Sequence, residues 1–326
     1  MGLKAKCGLA GRVVGWSVVD RKGRVTRKGG PSHNMILDQA LDDFIAEDGL
    51  PNVHSFASNT AWGIMRYLAV GTSSTAPAET QTALGSEVGR TLQQYDTGDL
   101  INDGLSDGAG KYRLRKYFEF DFEEVTGNLT EFGVSPSNTG KLCTRELFRD
   151  EEDNPVTITV TDDEKLRVVY EFEVVADPAT ATAFNFTLEV DGTPETRSGV
   201  WSFLGVGSYN AGYRRASLAG VGRTRVYATA DGNPSWTSPG VSGASESTGN
   251  DDGTVDPYTS GDRKRTRTMH VGTDKLNQTI AALQWYHSSQ PMWVAHLDSG
   301  DEINKTGDDV LELDIFEFSW DRVGAS

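Results

Sequence analysis

Apolar residues recur at every second position along much of this chain, and that period constrains the fold before any other feature does. Val14, Trp16 and Val18 alternate with other residues ahead of the turn DRKG, 20–23. Tyr112, Leu114, Phe118, Phe120 and Phe122 alternate against Arg113, Arg115, Glu119, Asp121 and Glu123. Phe184, Phe186, Leu188 and Val190 lead into Asp191-Gly192, a dipeptide that tolerates the positive backbone angles of a hairpin turn. A two-residue period sends alternate side chains to opposite faces of a strand, so these runs read as half-buried strands. The expected class is mainly β, dominated by antiparallel pairs.

One segment breaks the period. In NMILDQALDDFIAEDG, residues Ile36, Leu37, Ala40, Leu41, Phe44 and Ile45 recur at helical spacing, with Asn34 as N-cap and Gly49 as stop. An amphipathic helix over about 35–46 is expected. Its acidic residues Asp38, Asp42 and Asp43 read as a solvated face rather than a metal or acid cluster.

Internal echoes organise the rest. YLAVGTSSTAPAETQTALGSEVGRT (67–91) has a counterpart in FLGVGSYNAGYRRASLAGVGRT (203–224), pairing Gly71 with Gly207, Gly89 with Gly222 and Arg90 with Arg223. KYRLR at 111–115 resembles RKRTR at 263–267, and GNLTEFGVSPSNTGKLC resembles NQTIAALQWYHSSQPMW as a strand, a polar turn and a strand. ITVTDDEKLRVVY from Ile158 matches INKTGDDVLELDI from Ile303. Echoes in one order point to duplication: two tandem β-sandwich-like domains, 1–176 and 177–326, the helix belonging to the first. The second carries a Gly/Ser/Asp-rich loop, 231–262, with Trp236 and Tyr258 as its anchors. Neither copy of the first echo contains GxxxxGK[ST], so the shared glycines and arginines read as a structural frame, with Arg90 and Arg223 bonded to carbonyls or a carboxylate.

Charge and composition exclude several functions. A net charge of −16 opposes general affinity for nucleic acid or anionic membrane. No apolar run reaches 18 residues and no leader with a cleavage site opens the chain, so a soluble, unexported protein is expected. Cys7 and Cys143 form no metal half-site; they read as buried thiols, a bridge between them staying open in an oxidising compartment. His33, His54, His270, His287 and His296 show no zinc spacing, no GxSxG is present, and NDDGTVD lacks the EF-hand pattern. No cofactor, metal or catalytic residue is assigned, and the chain is read as a non-enzyme.

YLAVGTSSTAPAETQTALGSEVGR, LTEFGVSPSNTGKLCTRELF and ITVTDDEKLRVVYEFEV resemble a recurring pattern in structural proteins of tailed bacteriophages. The likeness spans about 34–174 and returns in LELDIFEFSWDR, 311–322. It implies a β-rich virion component of tail, neck or fibre, without cofactor, whose partners are other virion proteins and copies of itself. A tail-associated glycan hydrolase and a carbohydrate-binding module that recognises host surface glycan are the alternatives. Positive charge gathers in RKGRVTRK (21–28) and RKRTR (263–267). Arg21, Lys22, Arg24, Arg263, Lys264, Arg265 and Arg267, with Trp236 and Tyr258, are therefore the candidate partner contacts, set against a reading of solvated strand faces. Exposed aromatics such as Trp236 and Trp293 add to the expectation of a homo-oligomer.

Overall fold

The structure, a computed structural model, describes residues 3–43, 65–95, 111–150, 152–177, 182–190, 193–203, 223–230, 241–247, 258–273, 277–287 and 290–323. It is mainly β, with one short helix among these residues. The chain opens on β1 (Leu3–Asp20), β2 (Val25–Gly29) and β3 (Ser32–Ile36), then α1 (Asp38–Asp43). Next come β4 (Tyr67–Gly71), β5 (Glu87–Thr91), β6 (Lys111–Phe120), β7 (Gly127–Leu129) and β8 (Glu131–Ser135). β9 (Thr144–Leu147), β10 (Ile158–Val160) and β11 (Glu164–Asp177) follow. Beyond them lie β12 (Thr182–Val190), β13 (Thr193–Phe203), β14 (Arg223–Ala230), β15 (Val241–Ser247) and β16 (Lys264–Val271). The last strands are β17 (Thr279–Ile280), β18 (Ala282–His287), β19 (Gln290–Leu297), β20 (Ile303–Asn304) and β21 (Leu311–Arg322).

An eleven-stranded sheet follows the path β16-β21-β1-β3-β9-β8-β4-β5, with β11 and β2 also on β1 and β6 on β11. A six-stranded sheet follows β12-β13-β19-β18-β14-β15. Two short pairs, β7 with β10 and β17 with β20, complete the set. Sheet membership crosses the expected join at 176/177, because β16 and β21 pair inside the sheet that contains β1. The strand β1 has β11 antiparallel to it and β21 parallel to it.

Period-two burial holds along β11, where Leu166, Val168, Tyr170 and Phe172 face inward, and along β6 at Phe118 and Phe120. In β1 the parity changes. The register slips between Val13 and Gly15, so the inward set passes from Leu9, Gly11 and Val13 to Val18. Val14 is the extra residue of this bulge and is only half-buried, which removes it from the buried alternation.

The helix begins later than its spacing suggests. Asn34 and Ile36 belong to β3, where Asn34 pairs with Gly11 and Ile36 with Thr144. The Asn34 amide donates to Thr144 Oγ1 at 3.0 Å, so it stabilises the sheet rather than capping a helix. α1 begins at Asp38 and buries Ala40 and Leu41, beside buried Leu37. Phe44, Ile45 and Gly49 lie outside the described residues. One continuous apolar cluster joins Leu9, Val13 and Phe172 to Phe186, Trp201, Met269, Leu283 and Trp320. Each such side chain contributes about 1.5–3 kcal/mol on burial.

Candidate functional site

Three assemblies of polar side chains stand out: a wired loop, a clasp on α1 and a cleft beside it. The loop joins β4 to β5, and its backbone amides converge on Glu131, the first residue of β8. Glu131 Oε1 accepts from the N–H groups of Ser73 at 3.2 Å and Ser86 at 2.8 Å, and Oε2 accepts from Gly85 N–H at 3.0 Å. Arg145 of β9 donates its Nε to Glu131 Oε2 at 2.8 Å and its remaining nitrogens to Gln81 Oε1 and the Thr75 carbonyl. Both side chains are 0–1% exposed. A buried ion pair holds when every remaining donor and acceptor is satisfied, and here the loop backbone supplies those partners. The loop amides that a phosphate would need are taken by the protein's own carboxylate. A Cβ on Gly71 would stand 2.4 Å from the Ser86 carbonyl and 2.6 Å from Glu131 Oε1, so close approach accounts for this glycine. Arg90 closes the connection, donating to Ser135 Oγ, to the carbonyls of Ser137 and Gly140, and to Glu87.

Asp38 and Asp42 on α1 do not form a solvated face. Asp42 accepts from Tyr258 Oη at 2.6 Å, Ser260 Oγ at 2.5 Å and Gly261 N–H at 2.9 Å. Asp38 accepts from Arg263 at 2.6 Å and Arg322 at 2.7 Å. Trp320 donates its indole N–H to the Leu41 carbonyl at 2.6 Å and packs on Tyr258 with centroids 5.5 Å apart. Partial burial pushes the Asp42 carboxyl up, but the donors from Ser260, Tyr258 and Gly261 outweigh it and hold the pKa below the usual carboxylate range. The Tyr258 hydroxyl is pushed up to about 12, by burial first and then by the adjacent Asp42 charge. The Asp43 side chain lies outside the described set.

Where β1 and β3 diverge, a cleft of about 530 Å³ opens, walled by Arg12, His33, Asn34, Glu146, Glu171 and Arg322 among others. Glu171 bridges Arg12 at 2.5 Å and Arg115 at 2.8 Å, forming a cross-strand row of alternating charge. Arg322 reaches Glu79 at 3.2 Å and the Ile36 carbonyl at 2.6 Å. Glu146 is bonded to Arg149 at 3.1 Å. Among the described residues, no group of three His, Cys, Asp or Glu is arranged to hold a metal ion.

The candidate contact residues separate. Arg21 pairs with Asp163 at 2.6 Å and Glu123 at 3.3 Å and lies over the Phe122 ring, while Arg24 pairs with Asp20 at 2.7 Å. The neighbouring Arg27 pairs with Glu164 at 2.5 Å. Lys22 is exposed, with its backbone N–H on Asp20. Arg263 and Tyr258 belong to the clasp, and Lys264 lies 4.0 Å from Glu317. Arg265 and Arg267 stand in β16, Arg223 opens β14 and Trp293 lies in β19; their side chains fall outside the described set, as does that of Cys7. Gly207, Gly222, Trp236 and His54 lie outside the described residues altogether. Cys143 is buried in the core. Glu131, Arg145 and the charge row through Glu171 carried no sequence signal beyond alternation, which marks charged residues as outward-facing. No helix among the described residues is long and apolar enough to cross a membrane. Comparison with family models, with curated proteins and with solved structures gave no match.

Proposed function

We propose that this chain is a non-enzymatic structural protein of a tailed-phage particle, built from two copies of one β module and assembled through subunit contacts. The observation that supports it is a match of strand order. Substituting β12 for β1, β13 for β3, β19 for β9, β18 for β8, β14 for β4 and β15 for β5 turns the path β1-β3-β9-β8-β4-β5 into the whole six-stranded sheet. The pairs β6·β11 and β7·β10 then correspond to β16·β21 and β17·β20.

Details agree at single residues. Leu129 pairs with Ile158 as Ile280 pairs with Ile303. A Thr–Asn pair bridges each short ladder with its members exchanged between the strands: Thr159 Oγ1 of β10 donates to Asn128 Oδ1 of β7 at 2.8 Å, and Thr279 Oγ1 of β17 donates to Asn304 Oδ1 of β20 at the same distance. Thr161 places its N–H and hydroxyl on Glu164, as Thr306 places its own on Asp309. This reading keeps the second and third sequence echoes and revises the first: β14, rather than the segment around Gly207, takes the place of β4. The phage assignment rests on the sequence resemblance, and the scaffold role on the repeated module with its internally neutralised charges.

The test is peptide mass spectrometry of purified particles from a phage that encodes this chain, with gold-labelled antibody to place it. Stoichiometric presence on tail, neck or fibre is expected. Absence from washed particles, or shortening of host polysaccharide by the purified protein, would overturn the reading.

A further inference from the structure

Edge strands expose unpaired N–H and C=O groups, and proteins guard them with charge, proline or bulges. The basic clusters of this chain fall on such edges. Among the described residues, β2, with Arg27 and Lys28, pairs only with β1, and β16, with Lys264, Arg265 and Arg267, pairs only with β21. At the far end of the six-stranded sheet, β15 is interrupted by a register shift opposite Tyr227 and Thr229.

β12 has neither a basic cluster, nor a proline, nor a register shift, and Glu189 is its single charge. Its sequence, TAFNFTLEV, contains no Lys, Arg or Pro. It runs in unbroken register with β13 over nine pairs, from Thr182↔Trp201 to Val190↔Thr193, and its other edge carries no strand among the described residues. The comparison with β1 makes this more pointed. β1 has β3 on one side and β11 antiparallel on the other, whereas β21, the strand corresponding to β11, lies on β1 instead of β12.

We infer that the free edge of β12 pairs antiparallel with β12 of a second copy across a two-fold axis, an inference that rests on the assembly reading above. The sequence is self-complementary about Phe186. In that register Phe184 faces Leu188 of the second copy, and Phe186 faces its own equivalent. Phe184, Phe186 and Leu188 form the inward face, with the two rings stacked at 6.0 Å, so the apolar layer continues across the axis. On the outer face the exposed residues Asn185 and Thr187 become cross-strand neighbours, and in that register position 189 pairs with position 183, so Glu189 is not opposite its own copy. An isologous contact of this kind closes on itself and joins two six-stranded sheets into one.

The test uses the full chain. N185K/T187K changes two exposed side chains and sets Lys against Lys twice across the axis, while N185E/T187E does the same with carboxylates. Sedimentation velocity over a concentration series is expected to show a wild-type dimer. Each double variant should dimerise about tenfold more weakly or worse, with an unchanged circular dichroism spectrum and melting point. Mixing the two variants should restore the dimer by pairing Lys with Glu. A wild-type oligomer that neither variant weakens would overturn the β12 contact and leave the assembly role standing. A wild-type chain monomeric at every concentration would overturn the contact too, with the particle assay deciding the broader role independently.

Discussion

At Glu131 and Arg145 the cost of an error is highest, because each ion is buried and every lone pair or proton is spoken for. Arg145→Met leaves Glu131 charged and buried; a loss of about 3–5 kcal/mol is expected in urea unfolding. The Asp42 carboxyl, held below its unfolded value, contributes stability that is present above the unfolded pKa and is lost as pH falls through the folded one. Asp42→Asn should flatten that acid limb, read as the urea midpoint between pH 7 and pH 2. Lys116 gives the opposite limb. Burial first, and the Arg66 charge second, depress its pKa to about 8, and its ammonium donates to the Arg66 carbonyl at 2.6 Å. The folded state therefore disfavours the charged amine, so stability should rise with pH from about 8 towards the unfolded value near 10.4. That rise should vanish in Lys116→Met. Tyr258, pushed up to about 12, acts in the other direction, taking stability away as pH climbs past about 10.

Strands were legible in the sequence wherever one face meets the core without interruption, as in β6 and β12. They were misread where the ladder changes parity, as at Val14, or where a strand passes directly into a helix. Ile36, Leu37, Ala40 and Leu41 are all buried, so their helical spacing was informative about burial and silent about backbone. The pairing of Ile36 with Thr144 decided the matter, and nothing within the segment announces a partner more than a hundred residues away. The same distance hid the clasp: Asp42 alone looks like a solvent-facing helix residue until Tyr258 and Ser260 are brought to it. Glycines of the β4–β5 connection were read as frame, and close packing now says why at one of them. Gly71→Ala must displace the Ser86 carbonyl or the Glu131 carboxylate, and a loss of about 1–3 kcal/mol is expected from its thermal midpoint.

Although strand order repeats, the core does not divide. Trp320 of β21 is 1% exposed, bonds to α1 and packs within the same cluster as Leu9 and Phe172. Calorimetry should therefore record one cooperative transition rather than two. Trp320→Ala should lower the stability of the whole by about 3–5 kcal/mol, without releasing one half to melt alone. Two separated transitions in the wild type would show that the halves are thermodynamically independent.

The parallel pairing of β1 with β21 also sets a timetable. Leu3 aligns with Phe316 and Leu9 with Arg322, so β1 is made long before the strand that covers this side of it. Contacts so remote along the chain are slow to form, because a long loop must close before they give any return. On the ribosome, β1 can pair with β2, β3 and β11 in succession, yet its margin from Leu3 to Leu9 stays open until Leu311–Arg322 has emerged. A nascent chain stalled before that point would present an open strand to its neighbours on the same polysome, making premature association, rather than loss of secondary structure, the characteristic failure of truncated products.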